Sequence, residues 1–460
     1  MNRVTKRTWL MGLFILCLVG GMVFFWIDYC LHAEEWVSTS GSPHVYQNAN
    51  LSVGKVTDWS GSVLMDTTDG KNYSPNTLTR KSMLHWLGDR YGHINASAVS
   101  HYAGDMLGFD IVNGIYNSAG ESGAIELTLS ETVQNTALDA LGGRKGTVAV
   151  YNYKTGEILC AVSSPTYDPD DVPDITADPE AYEGVYLNRF TQTSYTPGSI
   201  FKVVTTAAAL EHVDGIQDMS FLCTGKLEYG SGDNIATVTC EVSHGTQSLK
   251  SALANSCNCS FAQIAELIGK QNMLDTVKQL QVTQPLKFDG ITTVKGNYDL
   301  SQTAPVSFAW SCIGQHTDLI NPARYMTLMG AIANGGKGAQ PYIVSHVYSG
   351  EEITYEAKTE YTDRLMSAEV AQTLKAYMRS NVKNVYGDWN FGGLNVCAKS
   401  GTSQLGGDRV SNALFAGFVA DEEYPLAFIV VVENAGYGAA NCVPVLSRVL
   451  AVSKSIMDLR

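Results

Sequence analysis

The chain has 460 residues, 45% of them hydrophobic and 17% charged, with a formal net charge of -14. That length and balance suit a folded protein of two or three domains and exclude a disordered chain. The excess of acid argues against a nucleic acid, or any other polyanion, as a partner.

The opening "MNRVTKR" carries Arg3, Lys6 and Arg7, and Thr8 to Ile27 then run twenty residues without a charge. A helix of that length spans roughly 30 Å, the thickness of a bilayer's hydrocarbon core. Basic residues before the span and Asp28, Glu34 and Glu35 after it predict a cytoplasmic N-terminus. The run is longer than the apolar core of a signal peptide, and no small-x-small cleavage site follows it. The sequence therefore predicts a cytoplasmic tail over 1–7 and an uncleaved membrane anchor over 8–30. Everything beyond about residue 31 then lies outside the cell membrane.

Residues 31 to 142 are polar and mixed, and read as a small N-terminal domain. Its end, "GAIELTLSETVQNTALDALGG", predicts a short strand and a helix capped by Ser130 and stopped by Gly142 and Gly143. "GTVAVYNYKTGEILCAVSSP" predicts two strands joined by a turn at Lys154-Thr155-Gly156. Helical segments follow over about 199–212, 247–281 and 321–334. "NALFAGFVA" and "LAFIVVVEN" predict two closing strands, with a last helix near 443–457. Strands, then helices, then strands suggest an α/β (α+β) domain over 143–460 with a single large sheet flanked by helices.

Ten cysteines are too sparse for a disulfide scaffold, and nine follow Cys17, an odd number. Cys223 and Cys240 bracket a turn-rich stretch; a bridge and two separate thiols are both open readings.

One residue is out of place. From Ile200 to Leu210 the chain is apolar or small nearly all round, the pattern of a buried helix, yet it contains Lys202. Ser199 lies three residues earlier and shares its helix face. A serine hydroxyl needs a base to become a nucleophile, and a lysine is a base only when burial favours its neutral form. The bland reading is a capping serine beside a lysine that snorkels to water. Ser-x-x-Lys also occurs at Ser52–Lys55 and Ser380–Lys383, so one match decides nothing.

Two further motifs do. "NSCNCS" supplies Ser256 and Asn258 as a Ser-x-Asn, and "CAKSGTSQ" supplies Lys399, Ser400, Gly401 and Thr402. Each has a decoy, at Ser74-Pro75-Asn76 and at Lys154-Thr155-Gly156. Only the set beginning at Ser199 satisfies order and context together: helix start, loop in a helical block, late strand.

This set resembles the signature of the penicillin-binding proteins and serine β-lactamases. Over roughly 125–455 the chain is similar to class B penicillin-binding transpeptidases, most like the compact penicillin-binding protein A group. The stretches that carry the likeness are "GTVAVYNYKTGEILCAVSSPTYDPD", "SYTPGSIFK", "HGTQSLKSALANSCNCSFAQIA" and "IGQHTDLINPARYMTLMGAIANGG". The resemblance implies a penicillin-binding transpeptidase fold, mainly antiparallel sheet flanked by helices, behind a short pedestal over 31–142. It implies Ser199 as nucleophile, Lys202 as its base, and Ser256 and Lys399 as a proton relay. Asn258 would hold the donor peptide, with Ser400, Gly401 and Thr402 binding substrate. No cofactor and no metal are implied; the partners are peptidoglycan stem peptides, β-lactams, the membrane and a glycan-polymerising complex. The family's usual Gly-Gln-Gly stands here as Gly314-Gln315-His316. The readings left beside a transpeptidase are a D,D-carboxypeptidase or β-lactamase-type hydrolase, and a non-catalytic β-lactam sensor or wall-complex subunit.

Overall fold

The two apolar runs near the end of the chain lie at the heart of a five-stranded antiparallel sheet. Its order is Val396–Ser403, Asn412–Val419, Leu426–Val432, Gly146–Asn152, Ile158–Ser164. The computed structural model describes residues 3–37, 46–47, 50–51, 54–68, 70–107, 123–230, 235–301, 303–404, 406 and 409–460.

Successive side chains of a strand face opposite ways, and here both directions lead into apolar cores. Val148, Val150 and Phe415 pack with the helices Glu131–Leu141 and Gly438–Met457. Ala149, Tyr151 and Ala416 join a larger core shared with Lys202–His212, Asn258–Ile268 and Pro322–Ala333. The predicted hairpin turn and the Ser130 cap are both in place; Ser130 Oγ accepts the Val133 N–H.

The expectation of a single large sheet is corrected. A second sheet of six strands runs Glu352–Glu356, Val344–Ser349, Gly123–Leu127, Gly54–Thr57, Val63–Asp66, Asn72–Tyr73. Its strands are two to six residues long and mix buried with half-buried or exposed positions, so no continuous apolar run marks them. The helical block over 247–281 is three helices, Leu249–Ala254, Asn258–Ile268 and Lys270–Gln279. The first break falls at Ser256, whose φ of 53° is left-handed and ends any helix.

The N-terminal helix runs Arg3–Val37. Its stretch Arg3–Ala33 is long and apolar enough to cross a membrane, with a mean hydropathy of 2.5 over its most apolar 18 residues.

Candidate active site

The chain enters the helix of Lys202 through a 3-10 turn, Gly198–Phe201, so Ser199 sits one turn ahead of Lys202. Lys202 is fully buried. Its Nζ donates to Ser199 Oγ at 3.0 Å, Ser256 Oγ at 3.1 Å, the Ser256 carbonyl at 2.7 Å and Asn258 Oδ1 at 2.7 Å. Burial first, and the neighbouring Lys399 second, hold its pKa well below that of a free lysine. The amine is therefore both hydrogen-bonded to the hydroxyl and biased towards the neutral form that can take its proton.

Lys399 reaches the same point from the sheet. It is 1% exposed, and its Nζ donates to Ser256 Oγ at 3.1 Å and to the Ser400 carbonyl at 2.8 Å. Burial pushes its pKa down to about 7. Ser256 thus stands between two buried amines. Its strained backbone is the kind retained where surrounding structure fixes a side chain for use.

Tight backbone contacts hold the segments together. Gly198 has φ of 55°, and a Cβ on it would stand 2.5 Å from the Thr402 carbonyl oxygen. A Cβ on Gly401 would meet the Pro197 carbonyl at 2.7 Å. Only glycine permits either approach. The Gly198 N–H also donates to the Gly314 carbonyl at 2.8 Å, and Gln315 Nε2 to the Thr402 carbonyl at 3.2 Å. His316, where the family has glycine, adopts φ of 71°, the left-handed conformation that glycine adopts freely.

All eight expected residues thus gather in one region. Ser199, Ser256, Asn258, Ser400 and Thr402 line a cavity of about 400 Å³, with Gln404 at its rim. The strand Val396–Ser403 is the outermost of its sheet, with one neighbour only among the described residues.

The decoys do other work. Asn76 caps the helix Thr77–Leu87, Lys154 bonds Asn334 Oδ1 from its hairpin turn, and Lys383 is exposed. Lys55 faces Asp66 at 3.8 Å, and Ser52 lies outside the described residues.

Sequence reasoning missed Tyr386. Its buried hydroxyl accepts the Ser400 N–H at 3.0 Å, bonds Ser400 Oγ at 3.0 Å and lies 3.5 Å from Lys399 Nζ. A π-helical turn, Val382–Tyr386, aims it, and nothing in the local pattern announces that turn. Trp310 and Tyr437, also cavity-lining, carry no motif either.

A serine hydroxyl bonded to a buried amine, beside a second serine–lysine pair and an open strand edge, defines an acyl-transfer site of the serine–lysine type. Residues 146–451 match the penicillin-binding protein transpeptidase domain. The chain therefore belongs to the penicillin-binding protein transpeptidase family, on its class B branch.

Among its relatives is the peptidoglycan D,D-transpeptidase PbpA of Mycolicibacterium smegmatis, 27% identical over an alignment of 341 residues that covers 68% of this chain and 68% of that one. Penicillin-binding protein A from M. tuberculosis, solved as a ceftriaxone acyl-enzyme, superposes with a TM-score of 0.75. The match covers 87% of this chain and 98% of that one at 23% identity, and carries the fold alone. A D,D-transpeptidase domain from Eggerthella lenta gives a TM-score of 0.73 at 25% identity, covering 87% and 98%.

Proposed function

We infer that the protein is a peptidoglycan D,D-transpeptidase that works through an acyl-enzyme on Ser199. The observation that carries this is the convergence of Lys202 Nζ on Ser199 Oγ, Ser256 Oγ and Asn258 Oδ1 in a fully buried position. Lys202 takes the hydroxyl proton as Ser199 Oγ bonds to the penultimate D-alanine carbonyl of a stem peptide. Backbone N–H groups of Ser199 and Thr402 hold the developing oxyanion. The carbon–nitrogen bond breaks, and Ser256, with Lys399 behind it, passes a proton to the departing D-alanine. Asn258 orients the donor peptide, while Ser400 and Thr402, with Gly401 between them, hold its terminal carboxylate near the Lys399 charge. An extended donor pairs along the free edge of Val396–Ser403, which aligns its carbonyl. The amine of a second stem peptide then attacks the ester, forming the cross-link and freeing Ser199. β-Lactams acylate the same hydroxyl by ring opening.

The apolar helix anchors the protein in the membrane. Its tail over 1–7 lies in the cytoplasm, the anchor covers 8–30, and a pedestal over 31–142 carries a catalytic domain, 143–460, outside the membrane. There it works beside a glycan-polymerising complex.

The test uses the full-length protein in detergent with a pentapeptide stem donor and an acceptor amine. Cross-linked dimer and a β-lactam adduct on the Ser199 peptide are expected. An adduct on another residue overturns the assignment of the nucleophile. Free D-alanine without dimer turns the reading to a hydrolase.

A further inference from the structure

The sequence reading expects no metal, yet the fold assembles a set of ligands beside the site. Cys223 ends the strand Ser220–Cys223, and Cys240 follows the strand Ala236–Thr239. His244 precedes the strand Gly245–Ser248, and Cys257 caps the helix Asn258–Ile268. Their thiol and imidazole atoms all lie within 4.8 Å of one another. Cys223 and Cys257 are buried; Cys240 and His244 are half-buried in the cleft wall.

Two of the separations are those of a coordination shell. Zinc bonds of about 2.3 Å to sulfur and about 2.0–2.1 Å to nitrogen, set tetrahedrally, place two sulfurs about 3.8 Å apart and a sulfur and a nitrogen about 3.5 Å apart. Cys240 Sγ lies 3.8 Å from Cys257 Sγ, and Cys223 Sγ lies 3.5 Å from His244 Nδ1. A disulfide would bring one pair of sulfurs to about 2.05 Å and leave the other two side chains without a role.

The surroundings match as well. Cys257 Sγ accepts the Ser260 N–H at 3.4 Å and its hydroxyl at 3.0 Å, while Cys240 Sγ accepts the Cys259 N–H at 3.3 Å. Such bonds orient metal thiolates and tune them. Cys259, whose thiol donates to the Val238 carbonyl, also lies against Cys223 and Cys240.

We propose that Cys223, Cys240, His244 and Cys257 bind one zinc ion in a closed structural site. Three soft sulfurs and an imidazole select a thiophilic metal, and four such protein ligands are the set zinc takes in structural sites. Binding releases the thiol protons to solvent, so affinity rises with pH. The ion ties the segment from Cys223 to His244 onto Cys257, the residue between Ser256 and Asn258. It thereby fixes the turn whose serine meets both buried amines.

Zinc content of the full-length protein, purified in detergent with reductant and without chelator, tests this independently of any acylation of Ser199. About one zinc per chain is expected. Stripped protein given cobalt(II) alone should show tetrahedral thiolate absorption bands. Cys223→Ser and His244→Ala should each weaken zinc binding at least about tenfold. Cys442→Ser, buried elsewhere in the core, should retain the ion. Wild-type protein with under about a tenth of an equivalent after incubation with zinc chloride, and no tetrahedral cobalt spectrum, overturns the proposal. So does a metal-free protein in which two of the four side chains are joined as a disulfide.

Discussion

The two sheets are built on opposite terms. In the five-stranded sheet nearly every position of every strand is buried, because helices cover both faces. In the six-stranded sheet, strands such as Gly123–Leu127 alternate buried with half-buried residues, and Glu352–Glu356 has no buried residue. Four of the eight site residues, Lys399 to Thr402, stand on the doubly covered sheet, and the other four come from the helical segments packed against it. The thinner sheet carries none of the eight site residues, and its parts come from distant stretches of chain.

That contrast can be broken or sharpened by measurement. The largest effect belongs to the catalytic side: Ser199→Ala should abolish the β-lactam adduct. Lys202→Met should slow acylation by about 10²–10⁴-fold, the usual contribution of a general base. Rapid-quench mass spectrometry reads both, and an adduct formed at the wild-type rate in Lys202→Met removes Lys202 as base.

Next comes packing. Phe415 is fully buried, stacked near Phe428 and Phe391, so Phe415→Ala should cost about 3–5 kcal/mol. Ile353, in the other sheet, is 53% exposed, and Ile353→Ala should stay within about 0.5 kcal/mol. Denaturant titrations of the two variants should differ accordingly. Equal losses would mean that the sheets are not differently built.

A smaller effect is electrostatic. Lys399 titrates at about 7 when folded against 10.5 when free, with Lys202, Tyr386 and Ser256 as its neighbours. Between those values the unfolded chain holds a proton that the folded one has released, so stability rises with pH. Below about 7 this contribution is flat. Lys399 should contribute a slope of about 1.4 kcal/mol per pH unit. Lys399→Met should lower the slope by that amount and leave the part that Lys202 contributes; an unchanged slope would show that the Lys399 amine does not titrate in the range. Smallest of all, Tyr386→Phe should slow acylation about fivefold, the worth of a hydrogen bond near 1 kcal/mol, with little loss of stability. A rate equal to wild type would reduce Tyr386 to packing.

Legibility followed the same divide. The strands Asn412–Val419 and Leu426–Val432 stood out because a strand buried on both faces is an unbroken apolar run. Lys202 stood out for the converse reason, a charge where only apolar residues were expected. The thinner sheet was hidden: Val344–Ser349 joins Gly123–Leu127 across more than two hundred residues, and no local period records that pairing. Tyr386 was hidden because a π-helical turn aims it. The cysteines could be counted, but only the fold shows that four distant ligands meet around the Ser256 turn.

The outer rung at Val396–Ser403 has a cost as well as a use. A bare strand edge invites any extended backbone, including that of another copy of the protein, and folds usually blunt such edges. Here the protection is depth: the rung's lysine is almost wholly enclosed, and the cavity beside it has a volume of only about 400 Å³. Selectivity at this edge is thus a matter of girth before chemistry. Slim single chains gain entry, and a bulky sheet margin is turned away before any carbonyl is tested.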